Sequence, residues 1–215
     1  MLENIKAVIF DLDGTLVDSM GIWKQIDIEY LAKYNIALPD DLQSSIEGMS
    51  FTETANYFKE RFQIPEEIHE IKATWNEMTY KKYKNEVPLK EGTREFLNML
   101  KSRDIKMGIA TSNSRELVEV VIKSLQIDSF FDAVHTSCEV EKGKPSPDIY
   151  LLVSEKLGVA PTECLVFEDV PQGIMAGKNA GMKVCAVDDE YSRALEEEKR
   201  KLADYFIESF QELLS

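Results

Sequence analysis

Two aspartates two positions apart, Asp11 and Asp13, follow a short apolar run and precede Gly14 and Thr15. In an extended segment, side chains two positions apart point the same way, so both carboxylates face one small volume while Leu12 turns toward the core. Gly14 permits the tight turn that follows. Carboxylates held that close repel unless a cation or a shared proton relieves them, an arrangement expensive as decoration and useful for catalysis. Asp-Gly is also an ordinary turn signal. A calcium loop of the EF-hand kind does not fit, because the glycine comes too early after the first acid.

Three further groups fall where strands should end. Thr111, Ser112 and Asn113 follow the run Ile105 to Ala110 and precede a helix starting near Ser114 or Arg115. Hydroxyls and free helix N-terminal amides there suit a phosphate, and the same residues suit a plain helix cap. Lys144 stands before Pro145, Ser146, Pro147 and Asp148; the prolines fix the approach to a helix, and the lysine offers either a point charge for phosphate or a solvated loop side chain. Glu168 and Asp169 close another apolar run and add carboxylate oxygens of the kind that suit magnesium. Asp169 could alternatively cap a helix beginning near Pro171.

The elements that must position these groups are legible in outline. Ile5 to Phe10 reads as a strand buried on both faces. From about Met20 to Val87 apolar residues recur at helical spacing (Ile22, Ile26, Tyr30 and Tyr34, then Thr54, Tyr57, Phe58 and Phe62), punctuated by Pro39, Gly48 and Pro65. Four or so helices and no strand are expected there. Beyond Gly92 helices and strands alternate: helix Thr93 to Ser102, strand Ile105 to Thr111, helix Arg115 to Leu125 and strand Ala133 to Thr136. Helix Pro147 to Leu157, strand Cys164 to Phe167, helix Gly173 to Ala180 and strand Val184 to Val187 follow, before closing helical and short extended pieces. This order predicts an α/β fold, a Rossmann-like parallel sheet with helices on both faces. Residues 1–17 and 90–215 would form the core, and 18–89 an all-helical cap inserted after the first strand, at one sheet edge. Such an insert projects from the carboxyl end of the sheet, where open α/β folds place their sites.

The net charge of −14 disfavours nucleic acid and anionic membrane surfaces as partners. No apolar run reaches the roughly 18 residues of a membrane span, and the N-terminus fits no secretory signal, so a cytoplasmic monomer is expected. Cys138, Cys164 and Cys185 are too widely spaced for a disulfide framework or a CxxC pair. A thiol–base pair of Cys138 with His135 is conceivable, but a strand-end loop is the preferred reading. The run Glu196 to Lys201 reads as a solvated helix face with internal ion pairs.

Taken together, DLDGT at 11–15, Thr111, Lys144 in KPSPD and Glu168-Asp169 in FEDVPQG resemble, in order, the four motifs of the haloacid dehalogenase superfamily. The likeness is to the branch with a helical cap after strand one, which includes beta-phosphoglucomutase-like proteins and small phosphatases, and it spans essentially the whole chain. The resemblance implies that Asp11 is the nucleophile and Asp13 the general acid and base. Magnesium would be held by Asp11, the backbone carbonyl of Asp13, Asp169 and Glu168. Thr111, Ser112, Lys144 and the backbone near Gly14 would hold phosphate, with Trp23, Asn113 and Phe51 facing substrate. Departures from the mutase pattern matter for the reaction. Counting from DLDGT places Trp23 where a mutase has a histidine, Phe51 where it has the arginine for a distal phosphate, and Met78, near Lys81 and Lys82, at a cap lysine. Hydrolysis of a small phosphomonoester is therefore expected, with a phosphomutase of the beta-phosphoglucomutase type as the alternative. A phosphate-accepting receiver domain is shorter and lacks the helical block, and a silent binding protein is a last alternative. Met20, Trp23, Phe51 and Trp75 suit either an apolar substrate wall or the cap's own core. Val17 to Gly21 and Val87 to Gly92 are expected to be hinges.

Overall fold

The computed structural model describes residues 1–214. Its centre is strand β1 (Ala7–Phe10), whose four residues are all buried, as an apolar run covered on both faces must be. Strands β2 (Lys106–Thr111), β3 (Ala133–Thr136), β4 (Cys164–Glu168), β5 (Lys183–Val187) and β6 (Tyr205–Ile207) complete a six-stranded sheet of order β3-β2-β1-β4-β5-β6. Every pairing is parallel.

Helices α1 (Met20–Ala32), α2 (Leu42–Ile46), α3 (Phe51–Phe62) and α4 (Ile68–Asn85) form the block after β1. Then come α5 (Thr93–Ser102), α6 (Arg115–Ser124), α7 (Asp148–Leu157), α8 (Pro171–Asn179) and α9 (Glu196–Leu202). One sheet face buries Val8, Phe10, Leu165 and Phe167 with α5 and α6, including a group of rings in which Phe10 stacks on Phe167 at 5.3 Å. The other buries Ala7, Ile9 and Val166 against α7 and α8. The four inserted helices have a separate core around Tyr30, Phe58 and Trp75. The pattern of apolar residues at helical spacing thus forms its own packed layer.

Three details depart from the sequence expectation. The insert leaves β1, which pairs with both β2 and β4, so it stands over the middle of the carboxyl end of the sheet and not at a lateral edge. Helix α8 starts at Pro171, where the capping reading of Asp169 places it and two residues ahead of the Gly173 bound, because proline suits the first helical turn, where no N–H partner is required. Within the charged run, Arg200 and Lys201 do pair with Glu196 and Glu197 at 2.7 Å, but Lys199 is fully buried. Its Nζ donates to the carbonyl of Val187 at 3.0 Å and to Ser192 Oγ at 2.9 Å, supplying a donor where β5 ends.

Candidate active site

Register is what assembles the site. Phe10 lies level with Ile109 of β2 and Phe167 of β4, so the residues leaving these three strands emerge side by side. The N–H of Asp11 still donates to the carbonyl of Phe167 at 3.0 Å, which keeps Asp11 beside Glu168 and Asp169. A cavity of about 450 Å³ opens here under the inserted helices. Asp11, Asp13, Thr111, Ser112, Asn113, Lys144, Glu168 and Asp169 all line it. Trp23, Phe51, Met20 and Trp75 line its far wall. Phe51 and Trp75 also belong to the core of the insert, so both readings of these aromatics apply at once.

Lys144 is buried and joins two carboxylates, donating to Asp11 Oδ1 at 2.6 Å and to Glu168 Oε1 at 2.5 Å. Burial alone would lower its pKa, but Asp11 and Glu168 hold it well above the ordinary lysine value, so it stays charged. Glu168 has little capacity left. Besides Lys144, its Oε1 accepts from Tyr150 at 3.0 Å, and its Oε2 accepts from the amides of Asp169 and Val170 at 2.9 and 3.2 Å. Asp169 accepts from Thr15 Oγ1 at 3.0 Å, and its carbonyl accepts from Ser192 Oγ at 2.8 Å. Buried Lys199 holds that serine in turn.

Oxygens of Asp11, Glu168 and Asp169 lie within 4.8 Å of one another, all buried. Burial pushes Asp11 up to about 8 and Asp169 well above the ordinary carboxylate range; in each case the neighbouring carboxylates add to the rise. Three carboxylates facing one lysine leave excess negative charge, and the donor set is all oxygen. That combination fits a hard divalent cation.

Asp13 is gripped from three directions. Ser19 Oγ donates to its Oδ1 at 2.5 Å, Asn113 Nδ2 to its Oδ2 at 2.8 Å, and the hydroxyl of Tyr83, on α4, to Oδ1. Asn113 Nδ2 also reaches the Tyr83 hydroxyl at 3.2 Å, and its own carbonyl accepts from the Ser114 amide at 2.7 Å. Asn113 thus orients Asp13 while lining the cavity. Thr111 Oγ1 accepts from the Asn113 amide at 3.2 Å, and Ser112 Oγ is buried without a hydrogen-bond partner. An unpartnered hydroxyl lining a polar cavity is suited to an incoming oxygen ligand.

Gly14 differs from its expected part. It does not line the cavity, and its N–H donates to the carbonyl of Val17 at 2.9 Å, so that amide is engaged within the turn. What the position requires is the absence of a side chain. At φ +81° a Cβ would lie 2.3 Å from Asp169 Oδ2. The Cys138–His135 pairing does not form: His135 Nδ1 lies 2.7 Å from Glu139, and Cys138 Sγ lies 3.3 Å from the Thr52 hydroxyl. Met78, Lys81 and Lys82 do not line the cavity.

Several participants had no signal in the sequence. Tyr83 reads as one more apolar position of a helix, and Ser19 as a helix cap. Lys90 links the second connection to the site, donating to the carbonyls of Gly14 and Asp188 at 2.7 and 2.6 Å and to Asp189 Oδ2 at 2.8 Å. The two connections to the insert run side by side, joined by an antiparallel bridge between Val17 and Leu89. The insert also touches the core through the 47–50 loop and the start of α3: the Phe51 amide donates to the Ser112 carbonyl at 2.9 Å, and Glu47 Oε1 accepts from the Gln172 amide at 3.1 Å.

Comparison with known proteins agrees with this arrangement. The family model described as haloacid dehalogenase-like hydrolase matches residues 8–187. A phosphorylated carbohydrates phosphatase of Thermotoga maritima is 31% identical over 179 residues, 83% of each chain. The crystal structure of CbbY from Rhodobacter sphaeroides in complex with phosphate superposes with a TM-score of 0.86 at 26% identity, covering 97% of this chain and 96% of that one. Beta-phosphoglucomutase from Clostridium difficile gives 0.82 at 26% identity, covering 97% and 93%. No helix among the described residues is long and apolar enough to cross a membrane. With strand order, site geometry and family match in agreement, the chain belongs to the haloacid dehalogenase-like hydrolases.

Proposed function

We propose that this protein is a magnesium-dependent phosphatase that hydrolyses a small phosphomonoester through an aspartyl-phosphate on Asp11. It is a phosphoric monoester hydrolase. The observation that carries the reading is the convergence of Asp11, Asp13, Lys144 and Asp169 on one cavity that also holds the unpartnered Ser112 hydroxyl.

Each residue has a separable task. Asp11 Oδ attacks phosphorus; an O–P bond forms to the aspartate and the bond to the leaving oxygen breaks. Asp13 gives its proton to that oxygen, then takes one from the water that cleaves the aspartyl-phosphate. Thr111, Ser112 and Lys144 hold the non-bridging oxygens, and Lys144 keeps its position because Glu168 and Tyr150 flank it. Residues 18–89 act as a cap that closes over the core of 1–17 and 90–215, with the paired connections as hinges. Magnesium, held by Asp11, Asp169, the Asp13 carbonyl and, alongside, Glu168, supplies the positive charge that lets an anionic ester approach a carboxylate.

Transfer to water is favoured over a mutase reaction by the insert's side of the cavity. Lys144, from the core, is the one lysine or arginine among its described lining residues, and Trp23 and Phe51 occupy the wall. A bisphosphate intermediate would have no cation there for its second phosphate. Phosphate release should be followed over a panel of metabolite monophosphates with magnesium and with chelator. Release in magnesium alone supports the reading. Isomerised sugar phosphate without net release would overturn it in favour of the mutase.

A further inference from the structure

Of the cavity's carboxylates that have no part in the phosphoryl chemistry, Asp27 is set apart by its burial and its lack of a cationic partner among the described residues. Asp27, on α1, is 6% exposed and lines the cavity from the insert's side. Its Oδ2 accepts from Gln43 Nε2 at 3.0 Å; among the described residues its Oδ1 has no hydrogen-bond partner, and no lysine or arginine pairs with it. Trp75 lines the same cavity, 2% exposed, and its indole Nε1 is buried without a partner. Around them Trp23 and Phe51 supply apolar faces, with ring centroids 6.1 Å apart.

We infer that Asp27, Gln43 and Trp75 form the subsite for the organic part of the substrate, and that this part is uncharged or cationic, carries hydroxyl or amine donors, and has no second anion. The inference rests on the phosphatase reading and specifies its leaving group. A buried carboxyl with an open oxygen is destabilising unless donors reach it, and no residue of the insert provides a second one. Burial pushes this carboxyl up to about 7, which shows how poorly its own surroundings solvate the charge. Ring faces at 23 and 51 suit the C–H faces of a sugar or polyol, and Trp75 Nε1 suits one of its oxygens. A second phosphate or a carboxylate would meet Asp27, with Asp40 and Glu47 also on the wall and no compensating cation.

The test is steady-state kinetics of the full chain with magnesium, on wild type, Asp27→Leu and Asp27→Asn. Probes are a panel of sugar, polyol and amino sugar monophosphates, para-nitrophenyl phosphate, a sugar bisphosphate and 3-phosphoglycerate. The wild type should favour a donor-bearing monophosphate over the bisphosphate and the carboxylate. Asp27→Leu should lose at least about 10-fold more kcat/KM on that substrate than on para-nitrophenyl phosphate, since one well-placed donor is left unpaired. Within about 3-fold of wild type, activity of Asp27→Asn identifies hydroxyl donors, and a loss equal to Asp27→Leu identifies an amine. Equal losses on every probe, or a best substrate with a second anion, would overturn the subsite. If no probe, para-nitrophenyl phosphate included, is hydrolysed by folded wild type, the phosphatase reading itself has failed.

Discussion

The hydroxyl of Tyr83, on the last inserted helix, hydrogen-bonds the carboxylate of Asp13, which leaves the central strand of the sheet. Asn113 touches both partners and Ser19 adds a third donor, so the proposed acid/base is oriented from the insert and from the core together. Tyr83 also packs edge-on against Trp23 at 5.9 Å, a contact that Tyr83→Phe would keep. That variant should fold normally and lose kcat by about 10- to 100-fold on alkyl phosphates, with KM little changed, because those leaving groups depend on proton donation. The loss on para-nitrophenyl phosphate, whose leaving group needs little protonation, should be smaller. Equal losses on both would show that Tyr83 does not act through Asp13.

Closure over the site should depend on Gly48. It adopts φ +79°, and a Cβ there would lie 2.8 Å from the carbonyl oxygen of Lys144. Gly48→Ala should therefore hold the 47–50 loop off the core and lower kcat/KM by 10-fold or more, while a conformational cost of about 1 kcal/mol leaves the fold intact. Thermal unfolding together with kinetics checks this; wild-type kcat/KM would contradict it.

Gly14→Ala probes the carboxylate cluster. A methyl group 2.3 Å from Asp169 Oδ2 must displace that carboxylate. Displacing a ligand's support typically weakens a metal by about 10- to 100-fold, so the magnesium concentration for half-maximal activity should rise by that factor. Calorimetric titration of magnesium into the variant gives the same comparison without turnover.

Asp27 should make stability fall with pH. Its folded-state value of about 7 lies above the ordinary 3.8, so the folded chain holds this proton more tightly than the unfolded one. The contribution is fully present below about 4 and is lost as pH rises through about 7. Asp27→Asn has no such proton to lose and should gain on the wild type across that window, by an amount on the order of 2 to 4 kcal/mol at pH 8.5. Urea midpoints at pH 4 and 8.5 measure it. An unchanged difference between the two pH values would show that Asp27 is not desolvated.

The sheet and its catalytic rim were legible because local rules act there. Short apolar runs read as buried strands, with Asp11, Thr111 and Asp169 at or just past their ends, whereas Lys144 stood out only by the prolines that follow it; the fold brings all four to one cavity. The insert was legible as helices, since Ile26, Tyr30 and Phe58 recur at helical spacing and are buried together. What the sequence could not show depends on tertiary contact. Tyr83 has the same periodic signature whether its hydroxyl meets solvent or Asp13. Lys199 sits in a run of charges that reads as solvated, yet the end of β5 lies against it. Gly14 looked like a source of an amide, whereas the limiting contact comes from Asp169, more than 150 residues away along the chain. Asp27 had no signal, since a single acid on an amphipathic helix is ordinarily exposed.

The central claim is that Asp11 carries the phosphoryl group. Rapid acid quench of the enzyme with a phosphorus-labelled substrate and magnesium, followed by peptide mapping, tests it directly. The account predicts hydroxylamine-labile label on the peptide containing Asp11, and none in Asp11→Asn, which should not turn over. Label on another residue, or undiminished turnover by Asp11→Asn, would contradict it.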